Sequence, residues 1–426
     1  MYYTLNIIFV LIATIFVLIG VFNILRDTTF SGNIYNKFKN YINNNFLFLV
    51  GFLFLLTLFT SIFKFGVVPY GIHVDEAGMA YDAFCLANYG VDRYLNSFPV
   101  YLINYGAGQS TMLAYLSAFF IRIFGLSIIT VRLPAVLLRL LTFISIFFIM
   151  KSEKDKPQTL LFLFIFSICP YFIMQSRWGL DCNLLVGFLS IAVCLLVRAI
   201  DTKSNKLLVG SGLVFGLTLY TYALSYIIVP ILLFLTCIYL LFIKQIKFRQ
   251  IIFFGIPIFL FSIPLLLMIA INSGIIPEIK SFITIPKLPL YRGSEISLSH
   301  IPDNIYILNS MLSFDNRDMF VEQLDYNALP NFGTIYYFSI PFFIIGVIVS
   351  LIKLCHSIKE RKFDANVIFM IWFISVLICA FLIYVPNINR INAIYVPIIY
   401  YVTLGIIYII KNVKPLIIRY YYNLYY

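Results

Sequence analysis

The stretch VRLPAVLLRLLTFISIFFIM, residues 131–150, runs twenty residues with two arginines, no acid and little else that is polar. At 1.5 Å per residue a helix of that length covers ~30 Å, the thickness of a bilayer's hydrocarbon core. Ten further stretches read the same way, at 4–24, 46–66, 158–175, 183–200, 207–222, 224–243, 250–271, 333–352, 366–385 and 391–410. The least distinct boundary lies within 207–243, where Tyr220, Tyr222 and Ser225 blur the turn. Lipid offers no partner for backbone N–H and C=O groups, so each span is expected to be helical. The chain therefore reads as an all-α polytopic membrane protein of about 11 transmembrane helices. Its composition agrees: 62% hydrophobic and 11% charged, against roughly 25% charged in a soluble protein.

The net charge of +12 invites a nucleic-acid reading, but its distribution argues against one. If the loop at 25–45 is cytoplasmic and the spans alternate from there, the cytoplasmic segments hold 19 of the 30 basic residues and 6 of the 18 acidic ones. That asymmetry is the positive-inside pattern. It places the C-terminus in the cytoplasm and the short N-terminus outside. The first span lacks a basic leader and a clear cleavage site, so it reads as retained. The seven cysteines form no C-x-x-C pair, so neither a disulfide framework nor a zinc site is indicated.

Two external segments are long, at about 67–130 and 272–332. In the first, DEAGMAYDAFCLANYG (75–90) suits a short helix with Gly90 as its stop, placing Asp75, Met79 and Asp82 on one face. QSTMLAYLSAFFIRIFG (109–125) is apolar enough to span, but doing so would put Lys151–Lys156 outside. It reads instead as a helix lying along the external interface. The second segment carries prolines at 277, 286, 289 and 302 and no sustained helical period.

Charges beside lipid need a reason, because an ionisable group at the bilayer centre costs ~2.5–3.5 kcal/mol on insertion scales. HVDEAGMAYDAF (73–84) puts Asp75 and Glu76 directly after a span. A carboxylate held among apolar groups suits a general base; Asp75 equally suits a helix N-cap. In SRWGLDCNLL (176–185), Arg177 and Asp181 are four apart. They fit either phosphate recognition by Arg or an interfacial ion pair with Trp178 as a belt residue. Arg390 sits at an external turn; Arg139, seven residues after Arg132, must face protein, an acidic partner or an anionic lipid head. No phosphate-binding glycine loop, dinucleotide fingerprint or H-E-x-x-H motif occurs. With only His73, His300 and His356, a histidine metal site is not expected.

From the D-E pair onward the order of motifs resembles a known family. FPVYLINYGAGQSTMLAYLSAFFIRIFGLSIITVRLPAVL (98–137), SRWGLDCN (176–183), NFGTIYYFSIPFFIIG (331–346) and R-I-N…P (390–397) are similar to segments of the bacterial relatives of the protein O-mannosyltransferases and the lipid A aminoarabinose transferase. These are membrane glycosyltransferases of the GT-C class, related to glycosyltransferase family 39. The resemblance covers residues 46–410, leaving 1–45 as an additional span and cytoplasmic loop and 411–426 as a cytoplasmic tail. It implies a GT-C-like bundle with external interfacial helices, sited in the plasma membrane with its active site on the extracytoplasmic face. It implies transfer of a sugar from a polyprenyl-phosphate donor to an acceptor hydroxyl or amine, by an inverting displacement.

Residue by residue, the resemblance makes Asp75 the base, Glu76 its motif neighbour, and Asp181 a group that positions donor or acceptor. Arg177, Arg390 and Arg292 become candidates for the donor phosphate, and His73, Tyr81 and Asp82 for substrate contacts. The aminoarabinose branch carries a Lys-Pro before its second interfacial helix, where this chain reads NYGAGQST, so the phosphate contact must come from elsewhere. A folded domain like that of the protein mannosyltransferases does not fit in 272–332, so a protein acceptor is not implied; glycan, lipid and protein acceptors stay open. A divalent cation is possible and no other cofactor is expected, nor is nucleic acid a partner. A polysaccharide polymerase or lipid-linked oligosaccharide flippase is the alternative. A transporter would show inverted repeats with broken helices, and none is evident.

Overall fold

The structure, a computed structural model, describes residues 28–291, 295–312 and 335–425. The span expected at 4–24 lies outside them. Helix α1 (Thr28–Ile62) enters the bundle with a kink at Asn45, so most of the loop expected at 25–45 is helical. Then come α2 (Val74–Tyr89), a hairpin of β1 (Leu102–Asn104) and β2 (Ala107–Gln109), α3 (Met112–Phe124), α4 (Ile128–Met150), α5 (Lys156–Ile168), the short α6 (Pro170–Gln175) and α7 (Cys182–Thr202). The chain continues through α8 (Asn205–Thr218), α9 (Ser225–Phe242), α10 (Phe248–Asn272), α11 (Ile301–Leu312), α12 (Ile340–Glu360), α13 (Ala365–Leu382) and α14 (Tyr395–Tyr425).

Eight helices among the described residues are long and apolar enough to cross a membrane. They account for eight of the eleven expected spans. Two others are shorter. The span expected at 158–175 breaks at Cys169, whose ψ of 123° is extended, because the following Pro170 disfavours the helical region at the residue before it. The span expected at 207–222 ends at Thr218 and passes into turns through Tyr222. Helix α3 is short, with 13 residues. One of its faces is buried (Leu113, Ala114, Ser117, Ala118, Ile121) and the other leaves Phe119, Ile123 and Phe124 exposed, the double-apolar surface suited to an interfacial helix.

The bundle closes where small residues let backbones touch. A Cβ on Gly346 of α12 would lie 1.8 Å from the carbonyl oxygen of Tyr401 on α14, and one on Gly405 would lie 2.0 Å from that of Phe342. Gly212 of α8 meets the Phe254 carbonyl of α10 in the same way, at 2.3 Å. In lipid the helices gain little from hydrophobic association, so such close packing carries much of the assembly. The hairpin was not foreseen. Its turn residues Tyr105 and Gly106 both have positive φ, 49° and 79°, as a two-residue type I′ turn requires. Gly106 O accepts from Leu290 N at 2.7 Å, and Val100 N donates to Thr284 O at 2.9 Å, so the segment after α10 clamps the hairpin at tip and root.

Candidate active site

The D-E pair falls in the first turn of α2, and the two carboxylates part company there. His73, rather than Asp75, is the N-cap: its Nδ1 accepts from Asp75 N at 3.1 Å, and Glu76 returns a bond to His73 N at 3.3 Å, completing a capping box. Glu76 is fully buried. It takes Arg132 Nε and Nη2 at 2.6 and 2.8 Å, and Gly179 N at 2.8 Å. Arg132, also fully buried, reaches the Gly71 carbonyl at 2.9 Å as well. A Cβ at Gly179 would come 2.9 Å from Glu76 Oε1, so glycine is needed for that approach. Glu76 is thus the bolt between α2, α4 and the α6–α7 connection, with both carboxylate oxygens engaged.

Asp75 points the other way. Its side chain is 45% exposed. Its Oδ1 accepts from Asn104 Nδ2 of the hairpin at 3.1 Å. His73 Nδ1, which accepts the Asp75 backbone N–H, lies 3.8 Å from the carboxylate.

Asp181 caps α7, accepting from Cys182 N at 2.8 Å and from Ser110 N, just past β2, at 3.4 Å. Burial is the main cause that pushes its pKa up to about 7, and the neighbouring Asp75 charge adds to it. The hairpin therefore links both carboxylates, Asp75 through Asn104 and Asp181 through Ser110. Asp181 also holds the pKa of the buried Tyr101 phenol up, second to burial itself, to about 12.

The other expected site residues divide. Asp82 does share a helix with Asp75, but it is 1% exposed and holds Arg93 by two side-chain bonds, Nη2–Oδ2 at 2.6 Å and Nε–Oδ1 at 3.0 Å. It braces the loop after α2 and is closed to substrate. Tyr81 is 55% exposed on the flank of α2. Arg177 does not pair with Asp181. Its Nη2 donates to Thr60 O at 2.6 Å, near the C-terminal end of α1, and burial lowers its pKa. Arg139 serves the same helix end. Nη1 reaches Thr60 Oγ1 at 3.0 Å and Ser61 Oγ at 2.7 Å, and Nη2 reaches Ser167 O at 2.9 Å. Its partners are neutral oxygens of the protein, which resolves the three partners the sequence left open. Two cations at a helix C-terminus complement its dipole.

Arg390, partly exposed, donates to the carbonyls of Tyr384 and Val385. Two residues on, Asn392 Nδ2 binds Cys182 O at 2.7 Å, which ties the Arg390 turn to the Asp181 end of α7. Arg292 lies outside the described residues. No group of three or more His, Cys, Asp or Glu side chains suited to a metal occurs among the described residues.

Residues 109–268 match the family model described as dolichyl-phosphate-mannose-protein mannosyltransferase. No curated protein matches the chain. Among solved structures, ArnT from Cupriavidus metallidurans bound to undecaprenyl phosphate superposes with a TM-score of 0.54 at 10% identity, over 85% of this chain and 60% of that one. The archaeal oligosaccharyltransferase AglB from Archaeoglobus fulgidus, in complex with an inhibitory peptide and a dolichol-phosphate, gives 0.52 at 13% identity, over 87% and 51%. The chain therefore spans about 60% and about half of those two proteins' lengths. The chain shares its fold with ArnT and AglB, and the resemblance read from the motifs is matched by the family model over residues 109–268.

Proposed function

We propose that the protein is a glycosyltransferase that moves a sugar from a polyprenyl-phosphate donor to an acceptor hydroxyl or amine at the extracytoplasmic membrane face. The observation that carries this is the division of labour in the D-E pair: Glu76 is locked to Arg132, while Asp75 is 45% exposed, has no Arg or Lys partner among the described residues, and lies near Asp181. The similarity to ArnT and AglB, whose solved structures hold undecaprenyl phosphate and a dolichol-phosphate, supports the donor class.

Asp75 accepts the proton of the acceptor hydroxyl as its oxygen attacks the anomeric carbon. The bond from that carbon to the phosphate oxygen breaks on the opposite face, and the polyprenyl phosphate departs with the electron pair. One displacement inverts the anomeric configuration, by the facial logic of inverting glycosidases. Arg390 is the cation a donor phosphate reaches with least rearrangement, because Arg177 is buried against Thr60. Asp181, able to hold or release a proton near neutrality, orients a substrate hydroxyl. Were a divalent cation to take part, Asp75 and Asp181 are the residues that would hold it, and it would supply positive charge to the departing phosphate. Tyr81 and His73 remain candidates for substrate contacts, and Arg292 for the donor phosphate.

The test uses purified protein in lipid, a panel of radiolabelled polyprenyl-phosphate sugars and a membrane extract as acceptor. Label passing to an acceptor with the wild type, and falling by more than 100-fold in Asp75→Asn, is the expected result. Near-normal turnover in a folded Asp75→Asn protein refutes the base assignment. No transfer from any donor favours the polymerase or flippase alternative.

A further inference from the structure

We propose that Asn104 is the positioning residue of Asp75: its side-chain amide fixes the carboxylate's rotamer so that the second oxygen faces the acceptor. This rests on Asp75 being the base. Asn104 is 7% exposed and reaches across from the hairpin to place Nδ2 3.1 Å from Asp75 Oδ1. It is the only side-chain donor to Asp75 among the described residues.

Three independent features hold Asn104 in place. Its strand is clamped by the segment after α10 at Gly106 and Val100. Its other amide atom, Oδ1, lies over Gly78 of α2, where an added Cβ would be 2.8 Å from Oδ1 and 2.9 Å from Arg93 Nη2. Glycine leaves the gap through which Asn104 and Arg93 both enter. Arg93 is itself fixed by the buried Asp82. Asp82 and Arg93 thus pack beside the Asn104–Asp75 contact at Gly78. Besides Asn104, the groups facing Asp75 are His73 on its own helix, and Asp181 and Cys182 at the start of α7.

An amide donor favours the charged form of a carboxylate, and a second carboxylate in its place disfavours it. In full-length protein in lipid, assayed with the radiolabelled polyprenyl-phosphate sugar that the wild type turns over, Asn104→Ala is expected to lower kcat about 100-fold, as for a misplaced catalytic group. Donor KM should change less than twofold. Isosteric Asn104→Asp should move the acidic limb of the kcat profile upward by about one pH unit or more. Gly78→Ala should lower kcat in the same direction with Asn104 intact.

If Asn104→Ala does not fold, Asn104→Asp and Gly78→Ala decide. An unmoved acidic limb and near-normal kcat in Asn104→Asp, with Asp75→Asn inactive, overturn this proposal alone. Turnover by Asp75→Asn overturns the base assignment and this proposal together.

Discussion

Replacing Glu76 by Gln keeps its volume and its bond from Gly179 N–H but removes the charge that faces Arg132. Both side chains are almost fully buried, 0% and 1% exposed, and two charge-assisted bonds of 2.6 and 2.8 Å join them. Breaking a buried pair from one side strands the other charge and costs about 3–5 kcal/mol. Arg132→Met is expected to cost a similar amount by stranding Glu76. The double variant Glu76→Gln/Arg132→Met strands no charge, and the new amide can donate to the Gly71 carbonyl that Arg132 leaves. It should therefore be less damaging than the two singles added together, with a coupling of about 3 kcal/mol. Titration with SDS in mixed micelles, followed by tryptophan emission, measures this. Trp178 adjoins Gly179, whose N–H binds Glu76, and the chain has only one other tryptophan. Additive single costs, with coupling below about 1 kcal/mol, would refute the view that this ion pair bolts the D-E turn in place.

Asp181 has a folded pKa of about 7 against a reference of 3.8, so the folded state binds its proton more tightly than the unfolded chain. Its contribution to stability is complete below about pH 4 and is lost as pH rises through about 7. The displacement corresponds to about 4 kcal/mol, reduced to about 2 by solvent at this half-buried position; Asp181→Asn should therefore lose less thermal stability than wild type between pH 5 and pH 8, and equal losses would refute the reasoning. Arg390→Gln is expected to raise donor KM about tenfold with the protein still folded, measured by transfer kinetics, whereas Arg177→Gln should mainly lower the unfolding midpoint. Gly346→Val is expected to destabilise the bundle by more than 3 kcal/mol, since no rotamer avoids the Tyr401 carbonyl; unfolding in the same micelles checks it.

The spans were legible because lipid imposes a single length and a single backbone solution; eight of them appear, though the one expected at 333–352 is found at Ile340–Glu360. The break at Cys169–Pro170 was signalled by the proline but masked by apolar residues on both sides. The N-cap was misassigned between His73 and Asp75 because histidine is an uncommon cap, whereas Asp75 has the usual chemistry. Asp75 and Asp181 were singled out by local chemistry and given roles by the motif resemblance, and the structure places them near one another. Asn104, Arg93 and the partner of Arg132 were not foreseen, because each acts across 11 to 56 residues of sequence. The tyrosine in N-Y-G disguised the hairpin turn that brings Asn104 back. Only V-R-L-P offered a hint: an arginine inside an apolar helix must have a partner, and the acid nearest a neighbouring span end was Glu76.

The two arginines at the end of α1 bear on how the chain is made. Arg139 lies near the middle of α4, and an isolated α4 would enter lipid with an arginine that costs ~2.5–3.5 kcal/mol on insertion scales. Its acceptors Thr57, Thr60 and Ser61 belong to a helix synthesised earlier, while Ser167 comes later. When α4 leaves the ribosome, most of its arginine's destination therefore already exists. Because α1 precedes α4 in the chain, its oxygens are available to Arg139 as α4 enters the membrane.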